Sequence, residues 1–245
     1  MNVAALLSIE HEKEKYLQTF NNESIIQNVI NYTKKLNFVK KVIIITDDNY
    51  FEKYSDQIDE IFYTRKSDSR CESERVYKFF QKDSTFDYYI SIPTLDPSIK
   101  DEELNNKWEN IEKYVEPEGV ATFYTGFNVE SDIRNTKFSK VVMDEDNALY
   151  FSRAPIPLKK NGSLADMGAY KRALDLFVFP KKLLKYLGSE LWGEWTSPLA
   201  DTEELQQNRF LEFGLPVHVE YINHLGFQVE NESDIQLLKQ RTSNQ

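Results

Sequence analysis

The sequence lacks several features by which common protein classes are recognised. Among its 245 residues there are only eight glycines and one cysteine, Cys71. A single cysteine excludes an internal disulfide and a multi-cysteine metal site, and it is typical of a protein kept in the reducing cytoplasm. No Gly-x-x-x-x-Gly-Lys loop and no Gly-x-Ser-x-Gly turn occurs, so the signatures of P-loop nucleotide binding and of serine hydrolases are missing.

Positive charge is also scarce. The chain has 30 basic and 40 acidic residues, a formal net charge of −10, so we expect no nucleic-acid partner and no attraction to anionic membranes. No stretch approaches the roughly 20 apolar residues of a membrane helix, so we expect no membrane insertion. The first apolar run, residues 2–9, has no basic flank and no small-residue cleavage site. We interpret it as a buried strand of a cytoplasmic protein.

The pattern of apolar residues indicates an α/β fold. Hydrophobic residues make up 40% of the chain, which is enough for a sizeable core. Short apolar runs alternate with helix-length amphipathic segments, as in a mostly parallel sheet covered by helices. In residues 118–157, apolar and polar residues alternate as in antiparallel strands, and Asp-Glu-Asp-Asn is typical of a tight turn between two of them. We predict a single domain over residues 1–245, with a Rossmann-like, mostly parallel sheet that has an antiparallel excursion.

Segment boundaries follow from the same pattern. We predict that residues 42–46 and 88–92 form neighbouring parallel strands whose C-terminal ends open onto one cleft, where ligands of open α/β sheets bind. Helices are predicted at residues 24–36, 73–82, 98–115, 175–188, 202–214 and 231–241.

A few polar residues are candidates for a ligand site. Asp47 and Asp48 follow a predicted strand, and they either bind a metal or cap the next helix. Arg153 lies between a strand-like run and the corner Pro155-Ile156-Pro157, where it either grips an anion or forms a surface salt bridge after an edge strand. We interpret the three scattered histidines as surface or hydrogen-bonded core residues rather than as a metal triad: His11, His218 and His224.

The ten residues ALYFSRAPIP, 148–157, resemble a segment that marks the cytidylyltransferases activating 3-deoxy-manno-octulosonate (Kdo), the CMP-Kdo synthetases. Three further segments resemble that family in the same order: NTKFSKVVMDEDN (135–147), DMGAYKR (166–172) and SPLADTEELQQNRFLEFG (197–214). The resemblance covers nearly the whole chain. It implies a nucleotide-diphospho-sugar transferase fold, a homodimer, Mg²⁺ as cofactor, and CTP and a Kdo-like sugar acid as substrates.

On the sugar-acid side, the resemblance implies six binding residues: Arg153, Asp166, Tyr170, Gln206, Gln207 and Arg209. Arg153 suits the carboxylate of Kdo, and Tyr170 and Gln207 suit its hydroxyl groups. Asp166 stands in place of a family histidine, and Gln206 in place of a family glutamate. The alternative for Tyr170 and Arg209 is helix packing and a surface ion pair.

The loops that bind the triphosphate in the family are less well kept here. Placed without gaps on the family's Pro-Ala-Arg-x-x-Ser-x-Arg-x-Pro-x-Lys loop, the chain has Leu6 and His11 at the two arginines and retains only Lys15. The family's Gly-Thr-Asp-Arg motif appears as Glu-Ser-Glu-Arg, which retains Arg75. The resemblance therefore implies Lys15 and Arg75 as the catalytic residues at the nucleotide.

The magnesium ligands of the family are altered as well. Leu95 stands at the metal-binding aspartate of its Gln-Gly-Asp-Glu-Pro loop and is followed by Asp96. Glu230 stands at the aspartate of its Val-Asp-Thr-Pro-Glu-Asp segment. Leucine cannot bind Mg²⁺, which takes oxygen ligands. Asp96 and Glu230 are thus the predicted metal residues of a weakened site.

Two functions remain open at this point. The first is an active CMP-Kdo synthetase-like enzyme serving the synthesis of cell-envelope polysaccharide or lipopolysaccharide. The second is a catalytically impaired homologue that binds a sugar acid or regulates a true synthetase. Each loss of a charge-stabilising group commonly costs roughly 3–4 kcal/mol in the transition state, which lowers the expected turnover. With Leu6, His11 and Leu95 in the triphosphate loops, we also expect weak binding of Mg²⁺-CTP and detectable binding of a Kdo-like acid.

Overall fold

The computed structural model describes residues 2–9, 12–65, 69, 71–115, 119–192 and 197–243. The strands are β1 (Val3–Ser8), β2 (Thr19–Phe20), β3 (Glu23–Ser24), β4 (Val39–Thr46), β5 (Glu60–Tyr63), β6 (Tyr88–Ile92), β7 (Val120–Gly126), β8 (Lys140–Asp144), β9 (Asn147–Ser152), β10 (Lys171–Pro180) and β11 (Val217–Tyr221). The helices are α1 (Lys13–Leu17), α2 (Ile25–Thr33), α3 (Glu72–Lys82), α4 (Asp101–Val115), α5 (Glu130–Arg134), α6 (Lys181–Trp192), α7 (Pro198–Glu203), α8 (Gln206–Glu212) and α9 (Glu232–Thr242).

The chain divides into two compact units. Unit 1 comprises Met1–Trp108 together with His224–Gln245, and unit 2 comprises Glu109–Asn223. The predicted α/β class, with a parallel portion and an antiparallel excursion, is confirmed by the sheet pairings within the units and by the structural matches reported below.

The parallel portion of the sheet lies in unit 1, in the order β5-β4-β1-β6. Strand β1 pairs in parallel with β4 on one side and with β6 on the other. The prediction that residues 42–46 and 88–92 are neighbouring strands is therefore wrong, because β1 lies between them. Both strands are parallel to β1, so their C-terminal ends still lie at one edge of the sheet.

Apolar packing fixes the helices of unit 1. Ser24 is the N-cap of α2, because its Oγ accepts a hydrogen bond from the N–H of Gln27 at 3.3 Å. The buried face of α2 comes from the apolar spacing seen in the sequence. Trp108 of α4 stacks on Phe38 with ring centroids 3.9 Å apart and meets Tyr88 of β6 edge-on. These aromatic contacts bury ring area that contributes to the core.

Unit 2 contains the antiparallel excursion, with strands in the order β10-β7-β11-β9-β8. Strand β7 pairs antiparallel with β10 and parallel with β11. The β8–β9 hairpin is antiparallel and turns at residues 145–146, within the predicted Asp-Glu-Asp-Asn turn. Arg172 of β10 also lies opposite Lys140 of β8.

Two predicted helices differ from the structure. Residues 175–180 belong to β10, and α6 begins only at Lys181. The run Leu176–Phe179 is buried at every position, as in a strand covered on both faces, and such a run has no periodicity to distinguish it from a buried helix. The predicted helix 202–214 is divided into α7 and α8, because Glu204 has a left-handed φ of 51°.

Among the helices of the described residues, none has the length and apolar content needed to cross a membrane.

A single domain over the whole chain stays a prediction, and equilibrium unfolding tests it. We expect one cooperative urea transition, because small single domains usually unfold in an all-or-none manner. Far-ultraviolet circular dichroism and tryptophan fluorescence should then give superimposable curves. Two separated transitions would instead assign independent stability to units 1 and 2.

Candidate active site

The C-terminal edge of the parallel strands is the expected ligand position in unit 1. Asp48 follows β4 there, and its Oδ1 accepts a hydrogen bond from the N–H of Tyr50 at 2.8 Å. Asp48 is thereby the cap of the short 3₁₀ turn Asn49–Tyr54. Of the two alternatives for this acidic pair, the structure shows helix capping at Asp48.

The gapless placement of the first nucleotide loop needs a correction. Leu6 lies inside β1 with no exposed surface, opposite Ile43 and Ser91. A side chain in that position cannot correspond to a phosphate-binding loop residue. Strand β1 ends at Ser8 and α1 begins at Lys13, so Lys15 of the same placement lies in a helix. His11, the second position in that placement, is outside the described residues.

Lys15 and Arg75, the predicted catalytic residues, lie on short helical segments of unit 1. Lys15 is half-buried in α1 and forms an ion pair with Glu12. Arg75 is 7% exposed in the first turns of α3, and its Nη1 donates to Glu72 Oε2 at 3.2 Å. The other oxygen of Glu72 accepts from Ser91 Oγ at 2.9 Å, which ties this turn to β6. The position of the Arg75 cation is therefore fixed by a carboxylate that is itself anchored.

Asp96 does not fit the predicted role of a magnesium ligand. Its side chain is 4% exposed, its Oδ2 lies 2.7 Å from His224 Nε2, and its Oδ1 accepts from Ser98 N and Oγ at 3.2 and 2.7 Å. Burial raises the pKa of Asp96, but His224 and the Ser98 hydrogen bonds outweigh that effect and hold the pKa below its usual value. A carboxylate with both oxygens engaged in the interior has little to offer a cation from solvent.

Glu230 differs from Asp96 in being exposed. The residue before it, Val229, donates its N–H to the carbonyl of Leu95 at 2.8 Å. The two chain positions that carry the family's metal ligands, 95 and 230, are thus brought together as the resemblance implies. Among the described residues, however, no three His, Cys, Asp or Glu side chains are grouped as a metal site would need.

Arg153, the predicted sugar-acid anchor, braces the junction between α7 and α8 in unit 2. Its Nε donates to Glu203 O at 2.6 Å, its Nη1 to Thr136 O at 2.9 Å, and its Nη2 to Glu204 O at 3.2 Å. A guanidinium has five N–H donors, so two remain for a ligand. The side chain therefore has a structural role in addition to the predicted binding role, and the surface salt bridge is not what these contacts show.

Glu203 is the residue of this region that sequence reasoning missed. Its carboxylate accepts hydrogen bonds from Ser152 Oγ at 2.6 Å, Arg153 N at 2.9 Å and Tyr150 OH at 3.0 Å. Burial raises the pKa of Glu203, yet the bonds from Ser152, Arg153 and Tyr150 together lower it. Glu203 and Glu204 are adjacent and identical in sequence, so nothing in the chain itself distinguished the one that turns inward.

Lys140 completes the support of the Arg153 segment. Its ammonium group is fully buried and donates to the carbonyls of Phe138, Arg153 and Asn135 at 2.6, 2.6 and 3.2 Å. Burial and, secondarily, the charge of Arg153 lower the pKa of Lys140 to about 8, while Glu203 opposes the shift. All three N–H donors of the charged form therefore have acceptors.

Helix α8 brings three adjacent polar side chains into unit 2. Gln207 is buried and donates through Nε2 to Asp175 Oδ1 at 3.3 Å. Asn208 forms a two-way bridge with the main chain of Phe151, accepting its N–H at 3.1 Å and donating to its carbonyl at 2.9 Å. Arg209 is 5% exposed. Helix α8 is thus joined to β9, the strand that leads into Arg153.

The remaining predicted sugar residues have different environments. Tyr170 is 1% exposed, and its hydroxyl accepts the N–H of Ala165 at 2.8 Å. Asp166 is exposed at the start of the turn Met167–Ala169, and Gln206 is half-exposed at the start of α8. Burial of Tyr170 favours the packing alternative, whereas Asp166 and Gln206 are accessible. Binding of a sugar acid by any of them stays a prediction.

A parallel sheet in unit 1 and an antiparallel excursion in unit 2 are the arrangement that the predicted nucleotidyltransferase-type fold requires. The sequence pattern of the cytidylyltransferase family matches residues 13–220. The chain belongs to this family.

Curated relatives agree with the predicted resemblance. A 3-deoxy-manno-octulosonate cytidylyltransferase of Protochlamydia amoebophila is 34% identical over 123 residues, about half of either protein (49% of this chain, 46% of the relative). One from Psychromonas ingrahamii is 27% identical over 219 residues, 83% of this chain and 82% of the relative. An 8-amino-3,8-dideoxy-manno-octulosonate cytidylyltransferase of Shewanella halifaxensis is 25% identical over 98% of both.

Solved structures share the fold. A CMP:2-keto-3-deoxy-manno-octonic acid synthetase complexed with CTP matches with a TM-score of 0.82 at 20% identity, over 100% of this chain and 99% of that one. A 4-diphosphocytidyl-2C-methyl-D-erythritol synthase from Anaerococcus prevotii matches with a TM-score of 0.65 at 12% identity, over 98% of both. The predicted fold class and the resemblance to CMP-Kdo synthetases are confirmed.

Glu203→Gln tests the importance of the buried carboxylate. We expect the free energy of unfolding to fall by about 2 kcal/mol at neutral pH, because hydrogen bonds to a charged group are stronger than neutral ones. A lowered pKa in the folded state stabilises above the unfolded pKa of about 4.3 and is lost as pH falls through the folded pKa. The difference between wild type and variant should therefore shrink in acid.

Urea titrations at neutral and acidic pH measure this difference. Glu204→Gln is the matched control, because only the main chain of Glu204 contacts Arg153. Equal stability of wild type and Glu203→Gln at neutral pH would contradict the assignment.

Proposed function

We propose that this protein transfers CMP from CTP to a Kdo-like 2-keto-3-deoxy sugar acid, with release of pyrophosphate. The observation that carries the proposal is the similarity to curated 3-deoxy-manno-octulosonate cytidylyltransferases across most of both chains, 83% and 82% in one case. The product would be an activated sugar for cell-envelope polysaccharide or lipopolysaccharide, and the reaction would take place in the cytoplasm.

The residues support a simple division of work. In the reaction the anomeric hydroxyl of the sugar acid attacks the α-phosphorus of CTP, the bond to the β-phosphate oxygen breaks, and pyrophosphate leaves. Lys15 and Arg75 supply positive charge for the triphosphate, because negative charge increases on the leaving group. The two remaining N–H donors of Arg153 suit the carboxylate of the sugar acid. The buried residues Gln207 and Arg209 both lie on α8.

We propose that Mg²⁺ binds together with CTP, as an ion held by the phosphate groups of the nucleotide. The carboxylate of Asp96 is turned inward, and Glu230 is the exposed one of the two predicted ligands. A nucleoside triphosphate binds Mg²⁺ through its own phosphate oxygens, so the ion needs few ligands from the protein. No catalytic step is therefore assigned to a protein-bound ion.

The alternative function is a catalytically impaired homologue, and the similarity to curated cytidylyltransferases does not favour it. Its remaining basis is Leu95, which has no ligand atom at the position of the family's metal-binding aspartate. The alternative predicts that a sugar acid binds while CTP is not turned over.

Pyrophosphate release from CTP and Kdo decides between the two functions. We expect turnover by the wild type, and a loss of about 100-fold in kcat/KM for Lys15→Gln, as for other groups that stabilise transition-state charge. Lys34→Gln is the matched control, since Lys34 is an exposed lysine at the end of α2. Absence of turnover together with calorimetric binding of Kdo would establish the impaired homologue instead.

We also propose a homodimer, on the basis of the family resemblance. Exposed apolar side chains on unit 2 strands support it, with Leu149 60% and Tyr221 44% exposed. Sedimentation at micromolar concentration should give about twice the chain mass of 28.8 kDa. A species of 28.8 kDa alone would contradict the dimer.

A further inference from the structure

Two segments of unit 1 meet where the family places its metal ligands. One is the turn after β6, which contains Leu95 and Asp96, and the other leads from β11 into α9 and contains His224 and Glu230. A main-chain hydrogen bond of 2.8 Å joins Val229 N to Leu95 O. The main chain itself therefore joins the two segments.

The stronger connection between them is made by side chains. His224 Nε2 lies 2.7 Å from Asp96 Oδ2, and the two side chains are 3% and 4% exposed. Ser98 saturates the other oxygen of Asp96 from its N–H and its hydroxyl. Tyr32 is buried nearby, and burial together with the charge of Asp96 raises its pKa well above the usual value. The pair therefore lies in an environment from which water is largely excluded.

We propose that the His224–Asp96 pair is a metal-independent clasp that joins the turn after β6 to the segment before α9, at the place where the resemblance implies a protein-bound magnesium ion. The clasp consists of His224, Asp96 and Ser98. It fixes the backbone of Leu95 and Glu230 in advance of any ligand.

The geometry explains why one carboxylate cannot serve both purposes. With Asp96 committed to the interior, the adjacent position is Leu95, which is partly exposed and has no ligand atom in its side chain. Of the two predicted ligands Asp96 and Glu230, Glu230 is the exposed one, and one carboxylate is a weak site for a hard divalent cation. A single substitution at Leu95 should therefore create a metal site beside Glu230, because the backbone already brings positions 95 and 230 together.

Thermal unfolding without nucleotide tests the clasp. Removing either partner leaves the other buried polar group without its hydrogen bond, and a carboxylate buried in this way is costly, so Asp96→Asn and His224→Gln should each lower the Tm by about 10 °C for a chain of this size. The double variant should melt no lower than the less stable single variant, since both changes remove the same interaction. Asp56→Asn, an exposed aspartate of unit 1, is the matched control and should leave the Tm unchanged.

Titration with Mn²⁺, followed by the electron paramagnetic resonance signal of the free ion, tests metal independence. The wild type should show no saturable binding at millimolar Mn²⁺, whereas Leu95→Asp should bind at least about tenfold more tightly and gain Tm with the ion. Leu95→Asn is the matched control, because asparagine has nearly the shape of aspartate but no negative charge.

Saturable Mn²⁺ binding by the wild type that is lost in Asp96→Asn would overturn the proposal, because Asp96 would then be a metal ligand. An unchanged Tm in both clasp variants would also overturn it. If those variants do not fold, the ion titration of wild type and Leu95→Asp still decides. Neither measurement uses CTP or Kdo, so the result for the clasp is independent of whether the protein has the proposed activity.

Discussion

The absence of any solvent-exposed side on β1 is the constraint on which much of unit 1 depends. The strand lies between β4 and β6, and all six of its residues are buried. Six consecutive buried positions require apolar or small side chains, which is why the run Val-Ala-Ala-Leu-Leu-Ser admits no charged residue. Because β1 extends to Ser8 and α1 begins at Lys13, the intervening loop is short. The buried strand therefore sets both the edge at which a nucleotide would lie and the small number of loop residues available to hold it.

Two cations of unit 2, the buried Lys140 and the partly exposed Arg153, donate their side-chain hydrogen bonds to main-chain oxygens. Lys140 uses three carbonyl groups, and Arg153 uses three more. Glu203, the nearby carboxylate, is satisfied in turn by donors from β9 and its exit. Each charge is therefore solvated by groups whose positions the backbone fixes. The strand exit that bears Arg153 has a defined geometry for this reason, which is what an anion-binding position requires.

Sequence reasoning identified the family and most elements, and its errors have physical causes. Short apolar runs predict strands well. The continuous apolar run before Lys181 has no periodicity, so residues 175–180 are predicted as helix although they form the end of β10. The order of strands in a sheet depends on contacts between distant parts of the chain. The position of β1 between β4 and β6 therefore cannot be predicted from the local sequence pattern. The gapless placement of Leu6 failed because motif letters carry no information on burial. The inward turn of Asp96 was missed because its partner, His224, is 128 residues away in sequence.

The environment of Lys140 has a consequence for covalent chemistry on this protein. Acylating and alkylating reagents attack the neutral amine from solvent, and a depressed pKa would by itself make Lys140 one of the more nucleophilic lysines. Its complete burial has the opposite effect, since no reagent can approach the nitrogen while β8 and the Arg153 segment remain in place. Lys140 is therefore sterically protected in the folded protein, and its modification would mark those molecules in which unit 2 has opened.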